Sequence, residues 1–509
     1  MIGINAIAAL SAKFINMFIV LWAQHRLLKD LSPDEFSIYP LIAILIYFLP
    51  LITTSFTSPA QRFVTGAFAK NKREEITEVV STIVSILLFP LTFIAIGGTA
   101  LLFWLDSAFE ISAENLGTAR LMFGMILVAS ALKLLMQPFC VAFYAQQRLV
   151  RFHGVSLVGE LIRLASLLTL FWVFGAQVIW VVATDAIVST CVVAALAFWS
   201  TRMMPEIRFR PSAVKWSRLR EFMSFGIFDV GISFSRMMRT SLPIWLLNLY
   251  DTAIAVNTFH IGQSAFRQAQ KAWIPMRGTL GPPMIGMATT GQTQRLQRTF
   301  YKGGRIAIWL TMMVCTPLIV FNREVTYLYA GDEYVWAGPV MAVLLLRYPL
   351  QLMNAFFPQL ARAKAVPEKA SVPMIICELT TALFMAIAII GFKYSVMGVA
   401  VCSLIVTAVF ELFILAPIAN RLMGGSIQRS LFESLLPGLM PAIAAALVML
   451  ATQSLLQPAT LWEVAFASIP GILIYLMVLW ICFRPDDRKY DLNAVSVVRN
   501  KLKPAPTNG

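Results

Sequence analysis

Charge is scarce in this chain. Asp, Glu, Lys and Arg make up 13% of its 509 residues against 58% hydrophobic ones, and the mean hydropathy is +0.74. A water-soluble domain carries about twice that share of charge, so a soluble fold is excluded and an all-α, polytopic membrane protein is implied. Histidine is scarcer still: His25, His153 and His260 stand singly, which argues against a histidine-based metal or catalytic site. No metal or cofactor is expected. The six cysteines, Cys140, Cys191, Cys315, Cys377, Cys402 and Cys482, fall inside apolar runs and form no CxxC pair, so they read as core-packing thiols. Long polar loops are missing too. No connection on the outer side exceeds about 15 residues, so no soluble domain is inserted and any chemistry lies within the bundle. The N-terminus has no basic region ahead of its apolar run and no small-residue cleavage site, and Lys13 sits inside that run; it reads as a retained first helix.

What is present is a series of apolar runs of about 20 residues, the length that crosses a bilayer. Fourteen spans are predicted, at 2–23, 36–57, 78–104, 119–145, 154–174, 177–199, 220–250, 253–276, 304–321, 334–358, 370–391, 396–419, 430–452 and 460–483. The short link Phe174-Gly175-Ala176 predicts two antiparallel helices, because 154–199 is too long for one crossing. Lys and Arg gather in alternate loops: Arg62 to Arg73, Arg148 and Arg151, Arg202 to Arg218, Arg295 to Arg305, Arg362 to Lys369, Arg421 and Arg429, and the tail from Arg484. By the positive-inside rule both termini are cytoplasmic, and the +15 net charge arises mostly this way, not from a nucleic-acid surface. The basic tail is either a solvated topogenic end or a ligand for anionic headgroups.

A weak internal repeat is visible. AFYAQQRLVRFHGVSLVGELIRLASLLTL has a counterpart in PQLARAKAVPEKASVPMIICELTTALFMAIAII, each with a basic loop, a helix carrying Glu-Leu near its start, and a short Gly-containing turn. Parallel repeats of six helices are implied. The expected organisation is an N-lobe at 1–200, a linker at 201–219, a C-lobe at 220–423 related by a pseudo-two-fold, two appended helices at 424–483 and a basic tail at 484–509.

The segment LLKDLSPDEFSIYPLIAILIYFLPLITTSFTSPAQRFVTG resembles the amino-terminal signature of polysaccharide-transport proteins, in which a turn of the form L-(G/S)-P-x-x-(F/Y)-(G/S)-x-Y enters the second helix. Here it runs from Leu31 to Tyr39, with Ser32 where glycine is commonest. LYAGDEYVWAGPVMAVLL, YAQQR and QLARAK resemble the family's loops around helices four and ten. The resemblance covers most of the chain and implies the multidrug/oligosaccharidyl-lipid/polysaccharide exporter superfamily, most like the flippases of O-antigen and capsule-type lipid-linked oligosaccharides. It implies a two-lobed alternating-access transporter of the bacterial inner membrane rather than an enzyme. Its substrate would be an undecaprenyl-diphosphate-linked oligosaccharide, its partners polysaccharide polymerase and glycosyltransferases, and its driving force a proton or sodium gradient.

The charges inside the spans bear on that substrate. Lys13, Lys133, Arg163, Arg236, Arg239, Arg267, Lys271 and Arg347 face Glu160, Asp185, Asp229, Glu378 and Glu411, eight cations against five anions. Each cation facing lipid would cost roughly 2.5–3.5 kcal/mol. Glu160, Arg163 and Asp185 are placed to form a structural triad. Spacings of three (Arg236, Arg239) and four (Arg267, Lys271) put each pair on one face of consecutive helices. With Lys13, Lys133 and Arg347 they are the candidate substrate residues, because guanidinium groups grip diphosphate oxygens bidentately; snorkelling to the cytoplasmic vestibule is the alternative for Lys271. Glu378 and Glu411, with no cation at their depth on either of their helices, are candidates for sharing a coupling proton, or for helix-capping contacts. Pro138, Pro243, Pro349 and Pro358 mark bends that would let two lobes rock. The helices at 430–452 and 460–483 are either a groove for a lipid tail or lipid-facing scaffold. The competing functions are a cation-coupled drug exporter, which the net positive interior disfavours, a membrane polymerase or ligase, which would need a long outer loop, and a non-transporting scaffold.

Overall fold

The computed structural model describes residues 2–46, 60, 63–65, 67–68, 71–146, 148–270, 284, 287–288, 290–364 and 366–482, and describes no side chains for 2–14, 45–46, 149 and 219–229. Among the described residues the chain is helical throughout and has no strand. Ten helices are long and apolar enough to span a bilayer: α3 (Arg73–Phe103), α4 (Ala113–Ala145), α5 (Val150–Phe174), α6 (Val178–Met203), α9 (Thr293–Val320), α10 (Ala337–Ala363), α11 (Glu368–Ile390), α12 (Val396–Met423), α13 (Ile427–Leu456) and α14 (Leu461–Cys482). Four more, α1 (Ile2–Asp30), α2 (Pro33–Ile46), α7 (Leu219–Tyr250) and α8 (Ala253–Gln270), complete the fourteen predicted positions. This is a polytopic all-α membrane protein.

Local signals account for the boundaries. Gly175, at φ 79°, turns the chain between α5 and α6, so the two antiparallel helices expected there are formed. Ser32 starts α2 through a reciprocal cap: its backbone N–H and hydroxyl donate to the Glu35 carboxylate at 3.0 and 3.1 Å, and the Glu35 N–H donates to the Ser32 hydroxyl at 3.4 Å. Serine in the Leu31–Tyr39 turn therefore has a structural task that glycine cannot perform. Pro138 lies in a tightened turn, Gln137–Cys140, within α4. In α10, whose continuous pieces are Ala337–Leu345, Tyr348–Met353 and Phe357–Ala363, Pro349 and Pro358 stand at the starts of the second and third. Pro243 sits within an unbroken α7.

The same pairings recur in the first and second six helices. α1 packs on α5, α5 on α6, α4 on α6, α3 on α4 and α2 on both α4 and α1. Correspondingly, α7 packs on α11, α11 on α12, α10 on α12, α9 on α10 and α8 on both α10 and α7. α13 and α14 pack on each other and on α9, where Tyr475 donates to the Trp309 carbonyl at 2.7 Å and Trp309 Nε1 to the Pro437 carbonyl at 2.9 Å.

Helix α8 carries an unbroken buried run. Residues Val256 to Ser264 are all buried, between α2, α7 and α10. Gly262 permits the approach to α10, since a Cβ there would lie 2.9 Å from Val340 Cγ1 and 3.1 Å from the Ala337 carbonyl.

Contacts joining the first six helices to the rest gather at the end where Lys and Arg are few. His25 Nδ1 lies 2.6 Å from the Tyr329 carbonyl and its ring stacks on Tyr329. Tyr329 donates to the Leu21 carbonyl at 2.8 Å, Asn257 to the Pro33 carbonyl at 2.8 Å and Trp245 Nε1 to the Ala108 carbonyl at 2.8 Å. Asn248 bonds both backbone groups of Glu110, accepting at 2.9 Å and donating at 3.1 Å. At the opposite end, the linker residues Lys215 and Arg218 are held to α3 through Glu78 and Glu75.

Asn248→Ala removes the reciprocal pair and strands two backbone groups. A loss of about 1 kcal/mol is expected, to be read as a lowered unfolding midpoint of the detergent-solubilised protein, while Asn115→Ala, a change at an exposed side-chain contact, leaves it unmoved.

Candidate functional site

Two clusters of charge, each part-buried, lie in corresponding positions of the two sets of six helices. The first belongs to α1, α4, α5 and α6. Asn16 Nδ2 donates to both Glu160 oxygens at 3.0 and 3.1 Å. Arg163 lies 3.7 Å from Glu160 and 3.0 Å from Asp185, so the expected triad is formed. Lys133 donates to Ser189 at 3.0 Å, and Asp185 is the charge that acts on it. Lys133 and Arg163 thus balance Glu160 and Asp185.

The second cluster belongs to α7, α8, α10, α11 and α12. Arg239 of α7, 5% exposed, forms an ion pair and hydrogen bond with Glu378 of α11. Arg347 stands where α10 is interrupted and is 1% exposed. Its Cζ lies 5.1 Å from the Phe266 ring centroid, and the Arg239 Cζ lies 6.0 Å from the same ring. Phe266 also stacks on Tyr348 at 4.5 Å, and the Tyr348 hydroxyl donates to the Phe266 carbonyl. A ring face shared by two guanidinium groups offers each some cation–π attraction, yet Arg347 Nε and Nη2 have no hydrogen-bond partner among the described residues. Glu411 sits in a π-helical turn, Glu411–Leu415, at the middle of α12. Asn354 donates to its carboxylate at 2.9 Å and to its carbonyl at 3.1 Å. Glu378 and Arg347 are the charges that act on Glu411. Arg236 is exposed, one turn before Arg239, and is influenced by Glu378 and Arg239.

The two clusters match helix by helix. Glu160 and Glu378 stand on α5 and α11, Asp185 and Glu411 on α6 and α12, Lys133 and Arg347 on α4 and α10. The partner donated by the first helix of each set differs: α1 brings the neutral amide of Asn16, whereas α7 brings the cation Arg239. The second cluster, with Arg236, Arg239 and Arg347 against Glu378 and Glu411, keeps one positive charge in excess.

The candidates from sequence therefore divide. Arg236, Arg239 and Arg347 come together. Arg267 of α8 donates to Gln263 at 2.5 Å and to Ser264 at 2.7 Å on its own helix, beside Phe266. Lys133 is not part of that patch; it is held in the first cluster. Arg239 is not a bare cation, because Glu378 already compensates it, and Glu378 in turn is not isolated from cations as its own helix suggests. Cys191 is exposed, not core. The Lys13 and Asp229 side chains and Lys271 lie outside the described residues. Sequence reasoning missed Asn16, Asn354, Phe266 and Tyr348. The one available signal was a strong hydrogen-bonding amide inside each of two membrane-length segments.

No family model matches the sequence. A stretch of 229 residues, 44% of the chain, is 26% identical to the uncharacterized membrane protein EpsK of Bacillus subtilis (strain 168), and the match spans 45% of that protein's length. Among solved structures, the lipid II flippase MurJ in an inward closed conformation superposes with a TM-score of 0.65 over 94% of this chain and 98% of its own, at 13% identity. An inward-facing multidrug resistance MATE family transporter of the MOP superfamily superposes with a TM-score of 0.66 over 83% of this chain and 99% of its own, at 12% identity. The chain has the fold that these two transporters share.

Proposed function

We propose that this protein is a flippase that carries a polyprenyl-diphosphate-linked oligosaccharide across the bacterial inner membrane by alternating access, with an N-lobe at 1–200, a C-lobe at 220–423 and both termini cytoplasmic. The observation that carries the reading is the excess of guanidinium charge in the second cluster, where Arg347 is fully buried with two donor nitrogens unpartnered among the described residues and Arg236 is exposed one turn before Arg239 on α7. A buried, permanently charged group with spare donors is costly unless an anion visits it. A diphosphate supplies several acceptor oxygens at once and matches the planar fork of arginine. An organic cation, the cargo of the alternative drug exporter, would meet repulsion here. The fold shared with a lipid II flippase supports the lipid-linked class, while the glycan is set by nothing in the cluster.

In this reading Arg236, the outermost of the three arginines, meets the diphosphate first, and Arg267, with Lys271 and Lys13, lines its approach. Glu378 is the internal counter-ion that keeps Arg239 paired while no substrate is bound, and Glu411, one helix away, is the candidate for taking up a coupling proton. The ties at the Lys/Arg-poor end support a state sealed toward the outside, with entry from the cytoplasmic leaflet. Rocking about the breaks in α4 and α10 would expose the same cluster to the other side.

Arg236→Ala is expected to lower leaflet transfer of a labelled polyprenyl-diphosphate saccharide in proteoliposomes at least tenfold at unchanged protein level; transfer at the wild-type rate would remove the flippase reading. Arg239→Met takes the ion-pair partner from the part-buried Glu378, so destabilisation of about 1–3 kcal/mol is expected. The double change Arg239→Met/Glu378→Met should recover most of it, and comparing the unfolding midpoints of the three proteins measures the coupling.

A further inference from the structure

The outer face of α5 and α6 is not a smooth apolar wall. A groove of about 1120 Å³ runs between them. It lies along the stripe of α5 made by Arg151, Gly154, Val158 and Ile162, on the opposite side of that helix from Glu160, and so belongs to neither charge cluster. Two glycines explain its shape. At Gly159 the helices touch, since a Cβ there would fall 2.3 Å from Val192 Cγ2; at Gly154 the space is open, since a Cβ would meet nothing within 4 Å.

The groove is apolar along its length and basic at one end. Arg151 and Arg202 bound it where α5 begins and α6 finishes, on the side of the Lys/Arg-rich loops. Both are exposed, and neither makes an ion pair among the described residues; the Arg202 Cζ lies 4.9 Å over the Phe198 ring. From Arg151 to Ser166, the last α5 residue of the lining, the rise is about 22 Å at 1.5 Å per residue. One leaflet contributes about half of a hydrocarbon core of roughly 30 Å. The groove therefore starts at headgroup level and ends near the bilayer middle, the reach of one acyl chain and far short of a polyprenyl chain.

We propose that this groove is a binding site for an anionic glycerophospholipid, with one acyl chain lying over Gly154, Val158 and Ile162 and the phosphate held between Arg151 and Arg202. Two guanidinium groups with open donor positions suit a phosphate diester, and the cytoplasmic leaflet is where such lipids concentrate. A zwitterionic lipid would offer the same chain but would set an ammonium group against the two arginines.

Native mass spectrometry of the full-length protein, exchanged into mixed micelles holding phosphatidylglycerol and phosphatidylcholine, tests this. The wild type should retain one phosphatidylglycerol in preference to phosphatidylcholine. Retention should fall at least tenfold in Arg151→Gln/Arg202→Gln, which empties the headgroup end, and in Gly154→Leu, which fills the groove. Arg208→Gln/Arg210→Gln, which removes the same charge from the neighbouring loop, should retain the lipid. If Gly154→Leu loses its unfolding transition, the double glutamine variant decides alone. Equal retention in wild type and Arg151→Gln/Arg202→Gln would overturn the proposal, as would an equal loss in Arg208→Gln/Arg210→Gln or selective retention of added undecaprenyl phosphate in place of phosphatidylglycerol.

Discussion

A guanidinium group keeps its proton in almost any surroundings, so an arginine placed at membrane depth must bring its compensation with it or receive it from a neighbouring helix. Much of this structure can be read as the working out of that constraint. Arg163 is matched within its own helix and by the next one; Arg239 is matched across a helix pair by Glu378. The α7–α11 and α1–α5 contacts, which begin the two sets of six helices, are the places where a polar group from the first helix meets a glutamate on the fifth. Packing and charge pairing therefore define the same repeat.

The repeat is not electrically symmetrical. Where the first set answers its glutamate with an amide, the second answers with a cation, and Arg236 and Arg267 add further positive charge on α7 and α8. The repeated packing therefore carries a one-sided charge distribution, with the excess on the second set. Phe266 makes that distribution tolerable, since its ring lies within reach of both Arg239 and Arg347 and is itself fixed by Tyr348.

The helices were legible because apolar run length and loop charge are local properties, and the α5–α6 turn was legible from one glycine. Glu160 with Arg163 followed from a spacing of three. The pairing of Arg239 with Glu378 was not legible, because 139 residues separate them and only the packing of α7 on α11 brings them together. The amides of Asn16 and Asn354 carry no charge to draw attention, and the π-helical turn that presents Glu411 leaves no pattern in composition. Cys191 was misjudged for a related reason: an apolar neighbourhood in sequence does not distinguish a helix face turned to the core from one turned to the open groove between α5 and α6.

The ties at the Lys/Arg-poor end have a property of their own. Nearly all run from a side chain on one partner to the main chain of the other: Asn257 to Pro33, Trp245 to Ala108, Tyr329 to Leu21, Asn248 to Glu110. Only one side chain has to be ordered for each bond, so closing costs less rotamer entropy than a zipper of paired side chains would. The surface receiving those donors is indifferent to what residues it carries. Ties of this kind can be kept without two sequences having to drift in step.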